Sequence, residues 1–234
     1  MPVYAAGAGD HEQLLNAFFD EHREWQKYRP HDETTIANHE DLALRLEFVH
    51  ETHPAEPKWT IAAYESPVGE RLWHATATAA TPIQLVACLL NAVAWHTEQA
   101  VTDGPPATDR AITETVLALV DEGWKHTADG HGTFWTPPDH APAGLHFDAF
   151  TFRFQPSAKH LWTVWGGNSA DHPAWAIHLS PATPASILQE LTSELAEGKS
   201  LPEAPSATTA SRPHRPPPAI PGLPSGPSAA RPGR

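Results

Sequence analysis

Histidine is the residue type with the most obvious chemical potential in this chain, which contains sixteen of them. Imidazole titrates near neutral pH and is a common metal ligand, so the spacing of the histidines decides what they can do. His126, Asp129 and His131 surround one predicted turn, where their side chains can converge on a metal ion. No two histidines flank a Glu at a spacing of four on a predicted helix, and turn histidines are usually solvated. We therefore assign no catalytic, metal-binding or cofactor-binding residue from the sequence.

Other reactive motifs are equally sparse. Cys88 is the single cysteine, which excludes an internal disulfide, and it lies in an apolar helical stretch where a thiol packs as a small hydrophobe. There is no Gly-x-Ser-x-Gly elbow, and Gly7-Ala8-Gly9 precedes a helix without a strand before it. The sequence therefore does not favour an enzyme.

Charge and hydropathy exclude further classes of function. Residues 1–198 carry ten Lys and Arg against 27 Asp and Glu, a net charge of −17. An acidic body repels phosphate backbones, which argues against nucleic-acid binding through the folded part. The most apolar stretch, 82–95, is too short to span a bilayer, and no basic region followed by an apolar run opens the chain. We expect a cytoplasmic protein that does not contact membranes.

The composition changes at residue 199. Residues 199–234 contain ten prolines and no aromatic residue, and their net charge is +4, which predicts a disordered tail. In a polyproline II helix, Arg215, Pro218 and Pro221 share one edge with Pro224, as in a ligand for an aromatic groove. The alternative is a solubilising tail with no specific ligand.

An internal repeat is the most informative pattern in the sequence. Trp59, Trp73 and Thr81-Pro82 recur as Trp162, Trp175 and Thr183-Pro184, with eight residues from the second Trp to the Thr in both copies. After each Thr-Pro, apolar residues follow one helix face. The Thr predicts an N-cap and the Pro a first helical position. Gly198 is expected to close the second helix.

Each copy also opens with a helix. Asp10 is placed to cap the first, whose inner face extends to Trp25, and the second begins at Thr108 or Asp109 and ends at Gly123.

Period-two patterns follow each opening helix and predict strands. They begin with Leu42 in the first copy and include Leu145, Phe147 and Ala149 in the second. Phe150, Phe152 and Phe154 reverse the phase, which predicts a bulge or turn near Ala149. Residues 125–127 and 133–136 are typical of a hairpin around Asp129-Gly130.

These elements predict an α+β fold made of two divergent units, each a helix, an antiparallel meander and a second helix. We place the first unit at 1–100, the second at 108–198 and the tail at 199–234. Units of this size are marginally stable alone, so we expect them to pack as a pseudo-symmetric pair.

The chain resembles the SPDY-motif family, a domain of unknown function from high-GC Gram-positive bacteria. The resemblance rests on 59–93 with the preceding Asp41-Leu42-Ala43, and on Gly123-Trp124, Trp135–Asp139 and Trp162–Gly166 in the second half. The signature Ser-Pro-Asp-Tyr is His39-Glu40-Asp41-Leu42 here, and the second copy keeps only Pro138-Asp139. The resemblance implies a duplicated fold and no specific activity.

Two functions remain open. The first is a non-enzymatic adaptor that binds a protein partner, for which Trp95, Trp135 and Trp165 lie off the core pattern and are candidate surface or seam residues. Trp59, Trp73, Trp162 and Trp175 are expected in the core. The alternative is a metal-dependent or small-ligand-binding, enzyme-like module that uses the His126/Asp129/His131 region or a cleft between the copies.

Overall fold

A computed structural model describes residues 1–102, 109–154 and 159–198. The predicted tail, with Arg215, Pro218 and Pro221, lies outside the described residues. The α-helices are α1 (His11–Glu21), α2 (Ile83–Trp95), α3 (Thr97–Thr102), α4 (Asp109–Thr115), α5 (Leu117–Asp121), α6 (Ala149–Phe154) and α7 (Ala185–Glu197). The strands are β1 (Trp25–His31), β2 (Thr34–His39), β3 (Leu44–Val49), β4 (Pro57–Tyr64), β5 (Arg71–Thr78), β6 (Lys125–Ala128), β7 (Thr133–Thr136), β8 (Ala143–Phe147), β9 (Trp162–Gly167) and β10 (Pro173–Leu179).

The strands form one ten-stranded antiparallel sheet in the order β1-β2-β3-β4-β5-β10-β9-β8-β7-β6. Strands of the first half run in sequence from one edge, those of the second half run in sequence from the other edge, and the two series meet at β5 and β10. The α+β class is therefore confirmed. None of the helices in the described part of the chain is both long and apolar enough to cross a bilayer.

Alternation along the strands places the apolar side chains on one face of the sheet. Directly paired residues share a face, and the row Phe48, Trp59, Ala77, Ile177, Val164 and Leu145 crosses six strands with every side chain buried. Leu85 and Leu89 of α2 and Leu188 and Leu191 of α7 join the same core. Helices therefore cover this face, and one continuous core extends across both halves.

The first helix is capped as predicted, but it is shorter. The Asp10 carboxylate accepts a hydrogen bond from Gln13 N at 2.9 Å, and α1 ends at Glu21. Trp25 is buried, yet it begins β1 rather than extending the helix. Leu42, expected in a strand, lies in a turn before β3 with a positive φ of 61° and is 48% exposed.

The two Thr-Pro sequences do not cap their helices as predicted. Pro82 and Pro184 have extended backbone conformations and stand one residue before their helices, and no side chain caps either helix. The Thr81 hydroxyl instead donates to Ala176 O at 3.2 Å, in β10 of the other half. The hydroxyl is used to join strands, so it is not free to cap.

Phe150 to Phe154 form helix α6 and not the predicted strand. The Asp148 carboxylate accepts hydrogen bonds from Thr151 N at 2.7 Å and from Thr151 Oγ1 at 2.6 Å, which satisfies N–H groups at the start of the helix. The chain does turn near Ala149, as the change of phase indicated. The predicted hairpin is confirmed, because β6 and β7 pair from Lys125 to Thr136.

Candidate functional site

The face of the sheet opposite the helices carries a regular arrangement of polar side chains. A row of directly paired residues crosses five strands on this face: Thr60, Thr76, His178, Thr163 and His146. All five are half-buried, with access to solvent. We call this surface the helix-free face and these five residues its central row.

Histidines on the helix-free face are held in the neutral form. Burial, as the main cause, and the nearby Arg71, His160 and Lys159 together lower the pKa of His74 to about 4. Burial and the adjacent His160 lower the pKa of His178 to about 4 as well. Desolvation is also the main cause of the lowered pKa of His146 and His160. These four imidazoles are therefore neutral at pH 7.

Three of these imidazoles stand together at the junction of the two halves. The ring centroids of His74 and His160 are 5.8 Å apart, and those of His160 and His178 are 4.8 Å apart. His178 Nδ1 is 3.2 Å from the Thr163 hydroxyl, whereas His160 Nδ1 is buried without a hydrogen-bond partner. The three rings pack at tilted angles, and no set of three or more metal-ligating groups is present in the described part of the chain.

A second polar site lies on the helix-covered side, at the N-terminal end of α1. His50 Nδ1 donates to Glu12 Oε1 at 2.7 Å, and His50 Nε2 is 2.8 Å from the Thr35 hydroxyl. Arg29 Nε donates to the same hydroxyl at 3.4 Å, and its guanidinium also contacts the His50 ring. With Lys27 these residues line a cleft of about 390 Å³. We call it the His50 cleft, defined by Glu12, Lys27, Arg29, Thr35 and His50.

The His50 cleft is anchored to the core through neighbouring residues. Lys58 Nζ donates to His50 O at 2.6 Å and to Val49 O at 3.0 Å, which fixes the backbone after β3. His11, next to Glu12, accepts a hydrogen bond from Trp59 Nε1 at 2.7 Å. Burial and the nearby Lys58 ammonium lower the pKa of His11, so its ring stays neutral and can accept. The side chains of the cleft are therefore positioned by buried contacts.

The opposite edge of the sheet has a cleft of different chemistry. It has a volume of about 280 Å³, and Val116, Trp135, Phe147 and Phe152 contribute apolar walls. Thr133 pairs with Phe147 there as Thr35 pairs with Phe48 at the first edge. A polar cluster equivalent to the His50 cleft is not built at this position among the described residues.

The sequence-predicted histidine group is spread over its hairpin. His126 lies on β6 with its ring 5.4 Å from that of Trp135, and His131 lies 5.8 Å from the ring of Phe150. The Asp129 carboxylate accepts from His131 N at 3.0 Å and Gly132 N at 2.9 Å. These backbone hydrogen bonds lower the pKa of Asp129. Asp129 and His131 shape the turn, whereas His126 lies on the strand before it.

The cleft between the two halves runs between α2 and α7, with a volume of about 520 Å³. Cys88 lies in it, and its thiol donates to Glu190 O at 3.5 Å. Burial, together with Glu194 and Glu190, raises the pKa of Cys88 to about 12, so the thiol is protonated. Such a thiol is a poor nucleophile.

The four tryptophans predicted in the core are found there, but two of the other three are buried as well. Trp59, Trp73, Trp162 and Trp175 are at most 7% exposed, which confirms their core assignment. Of the three candidates for a surface or seam position, Trp95 is 70% exposed, whereas Trp135 and Trp165 are buried at 4% and 8%. Trp135 stacks on Trp162, so it contributes to the core and not to a binding surface.

Comparison with known proteins bears on the identity of the fold. The family model SPDY, a domain of unknown function (DUF317), matches residues 40–101 and again residues 131–201, more than half of the chain. This chain belongs to the SPDY family. No curated protein and no solved structure matches it.

Within the SPDY family signature, the retained Asp has a structural role in both halves. Asp41 Oδ1 accepts from Ala43 N at 2.9 Å before β3, and Asp139 Oδ1 accepts from Ala141 N at 3.0 Å before β8. The residues that follow, Leu42 and His140, are the two non-glycine residues with positive φ in the described chain, at 61° and 58°. Each Asp thus closes an Asx turn that directs the chain into a strand.

Sequence reasoning missed the His50 cleft. Glu12, Arg29, Thr35 and His50 come from α1, β1, β2 and the residue after β3, so no local spacing connects them. β1 was not predicted, because all of its positions except the first are exposed. β2 was not predicted, because the residues that it turns inward, Thr35, Ala37 and His39, do not form an apolar alternation. Without these strands, Arg29 and Thr35 cannot be placed beside His50.

Proposed function

We propose that this protein is a non-enzymatic binding protein, made of two divergent α+β units fused as a pseudo-symmetric pair, that docks a protein partner on its helix-free face. The fused-pair proposal is supported by two matches to one family model and by the strand order, in which two series of five strands meet at β5 and β10. Matching Asx turns before β3 and β8 support it further.

Contacts across the junction are reciprocal, as expected of an isologous interface. Thr78 Oγ1 accepts from Ala176 N at 3.1 Å, and Ser180 Oγ accepts from His74 N at 2.9 Å. The hydroxyls of Thr78 and Thr81 lie 3.0 Å apart, and those of Ser180 and Thr183 lie 3.4 Å apart. Each half therefore offers the other one hydroxyl, which stands three residues before the Thr of a Thr-Pro pair.

The observation that carries the binding proposal is a ten-stranded sheet in which the helices of the described residues pack on one face. Nine interstrand spacings of about 4.8 Å and strands of about 20 Å give the helix-free face an area on the order of 800 Å². A standard protein–protein interface buries about 800 Å² on each partner. The face is large enough for one specific partner.

The chemistry of the central row defines the partner. Its side chains are threonine hydroxyls and neutral imidazoles, which exchange hydrogen bonds without charge. Glu47 is paired with Thr60 and extends the row by one strand, so a carboxylate flanks these uncharged groups. The expected partner presents an uncharged, hydrogen-bonding protein surface. The metal-dependent alternative at His126, Asp129 and His131 has no specific observation in its favour.

Charge insertion on the helix-free face tests the proposal. Thr76→Arg places a cation in the central row, and Gln99→Arg places the same cation on the exposed surface of α3, on the helix-covered side. Proteins enriched from native-host lysate by the wild-type chain are compared with those enriched by each variant. We expect a partner that Q99R retains and T76R loses at least about tenfold. Identical partner sets for all three proteins contradict the proposal.

A further inference from the structure

We propose that the His50 cleft binds a phosphate group, as free phosphate or as a phosphomonoester. This site is separate from the helix-free face and does not depend on the function proposed for that face. Hydrogen-bond donors converge on it from two side chains of β1, the Arg29 guanidinium and the Lys27 ammonium. A phosphate has enough oxygens for all of these donors, whereas a carboxylate has two.

The two cations of the cleft are not neutralised by the protein. Among the described residues, neither Lys27 nor Arg29 has a carboxylate oxygen within 4.0 Å. Lys27 packs its ammonium 4.9 Å from the Phe19 ring, and Arg29 bonds to a hydroxyl and an imidazole. Lys27 and Arg29 stand two residues apart on β1 and line the same cleft, so both cations face the same volume. An anion supplied from solution completes their coordination.

Arg29 is oriented for such a ligand. The Thr35 hydroxyl, itself only 5% exposed, holds Arg29 Nε at 3.4 Å, and the His50 ring lies against the guanidinium. Because a planar guanidinium held on one edge keeps its remaining N–H groups in fixed directions, it is preorganised for bidentate contact with phosphate oxygens.

Glu12 provides a second test of the proposal, because its expected effect on anion binding is opposite to that of Arg29. Its carboxylate accepts from His50 Nδ1 at 2.7 Å and lines the same cleft, so it orients the ring and also repels an anion. Glu12→Gln keeps an oxygen acceptor for His50 and removes the negative charge. An anion site therefore requires that Glu12→Gln tighten binding and that Arg29→Gln weaken it, whereas a purely structural cluster requires neither.

The experiment is a titration of the full chain with sodium phosphate at constant ionic strength, followed by amide and imidazole NMR shifts. We expect saturable shifts at Thr35 and His50 with a Kd in the range of about 1 mM. Arg29→Gln should weaken binding about tenfold, and Glu12→Gln should tighten it several-fold. Arg23→Gln, which removes an exposed cation paired with Asp20, is the matched control and should leave the Kd unchanged.

Three outcomes overturn the proposal. They are the absence of saturable shifts up to about 50 mM phosphate, an equal Kd for Arg29→Gln and wild type, and an acetate Kd as low as that for phosphate. Glycerol phosphate and a phosphoserine peptide form two further arms, since the phosphate can belong to a small molecule or to a protein. Tighter binding of either arm than of free phosphate supports the site and identifies the source.

Discussion

The hydroxyl of Ser180 accepts a hydrogen bond from the backbone N–H of His74 at 2.9 Å, across the junction of the two halves of the sheet. Ser180 N in turn donates to His74 O at 2.9 Å, so the two residues extend the pairing of β5 and β10 by one step. Ser180 is 4% exposed and His74 is 9% exposed. The junction is therefore a buried, hydrogen-bonded part of the core.

Loss of either junction hydroxyl should destabilise the protein. Ser180→Ala leaves the His74 N–H without its acceptor, and Thr78→Ala does the same to the Ala176 N–H. A buried unsatisfied group costs about 1–3 kcal/mol, so we expect each variant to lower the free energy of unfolding by that amount. Urea denaturation measures it, with Thr60→Ala on the helix-free face as the control. An unchanged stability in both junction variants would show that these hydroxyls do not join the halves.

The turns of the SPDY signature should respond oppositely to two substitutions. Leu42 and His140 adopt positive φ, which glycine adopts without steric cost, so Leu42→Gly and His140→Gly should each stabilise by about 1 kcal/mol. Asp41→Ala and Asp139→Ala remove the turn-closing acceptor and should destabilise by about 1 kcal/mol. Thermal unfolding measures both signs, and Asp32→Ala in the β1–β2 turn is the control. Destabilisation by both glycines contradicts the turn geometry.

Much of this fold was accessible from the sequence because the apolar periodicity is strong where strands are buried on one side. β3 to β5, the β6–β7 hairpin and the core tryptophans carry clear signals. β1 does not, because an edge strand with little buried surface needs no alternation, and β2 does not, because the residues that it buries are Thr35, Ala37 and His39. The Phe150 to Phe154 pattern was ambiguous, since alternate phenylalanines also occur on a short helix, and the capping by Asp148 was the missed signal.

The candidate sites were less predictable, for two different physical reasons. The His50 cleft depends on tertiary proximity of residues from four elements, which sequence spacing does not encode. The helix-free face depends on which side of the sheet the helices cover. Half-burial of its threonines and histidines follows from the width of the sheet, and the single sequence does not show that the two halves share one sheet.

Acid should destabilise the protein through the junction histidines. The pKa of His74 and that of His178 are lowered from 6.5 to about 4, so the unfolded chain binds more protons than the folded chain between these values. Stability from both groups is complete above pH 6.5 and falls by about 1.4 kcal/mol per pH unit at each site as pH drops towards 4. Urea midpoints from pH 7 to pH 4.5 measure the slope. His178→Gln should reduce it and the exposed His172→Gln should not; equal slopes in all three proteins contradict this assignment.

Cys88 should be unreactive in the native state. A thiol pKa of about 12, compared with 9.0 for the free group, reduces the thiolate population at pH 8 about a thousandfold. The rate of modification by Ellman's reagent measures this population in native and urea-unfolded protein. Glu194→Gln removes a neighbouring negative charge and should accelerate the native reaction. Native and unfolded rates that coincide contradict a buried, protonated thiol.

Amide hydrogen exchange tests the central claim, that the two halves form one sheet joined at β5 and β10. If the sheet is continuous, the β5 and β10 amides occupy its centre, and we expect them to exchange only by global unfolding. The edge strands β1 and β6 should exchange fastest. The single sheet is supported if the amides near Ala77 and Ile177 have protection factors equal to those of the most protected core amides. Exchange there as fast as in β1 and β6 contradicts it, because β5 and β10 then behave as edges of two separate sheets.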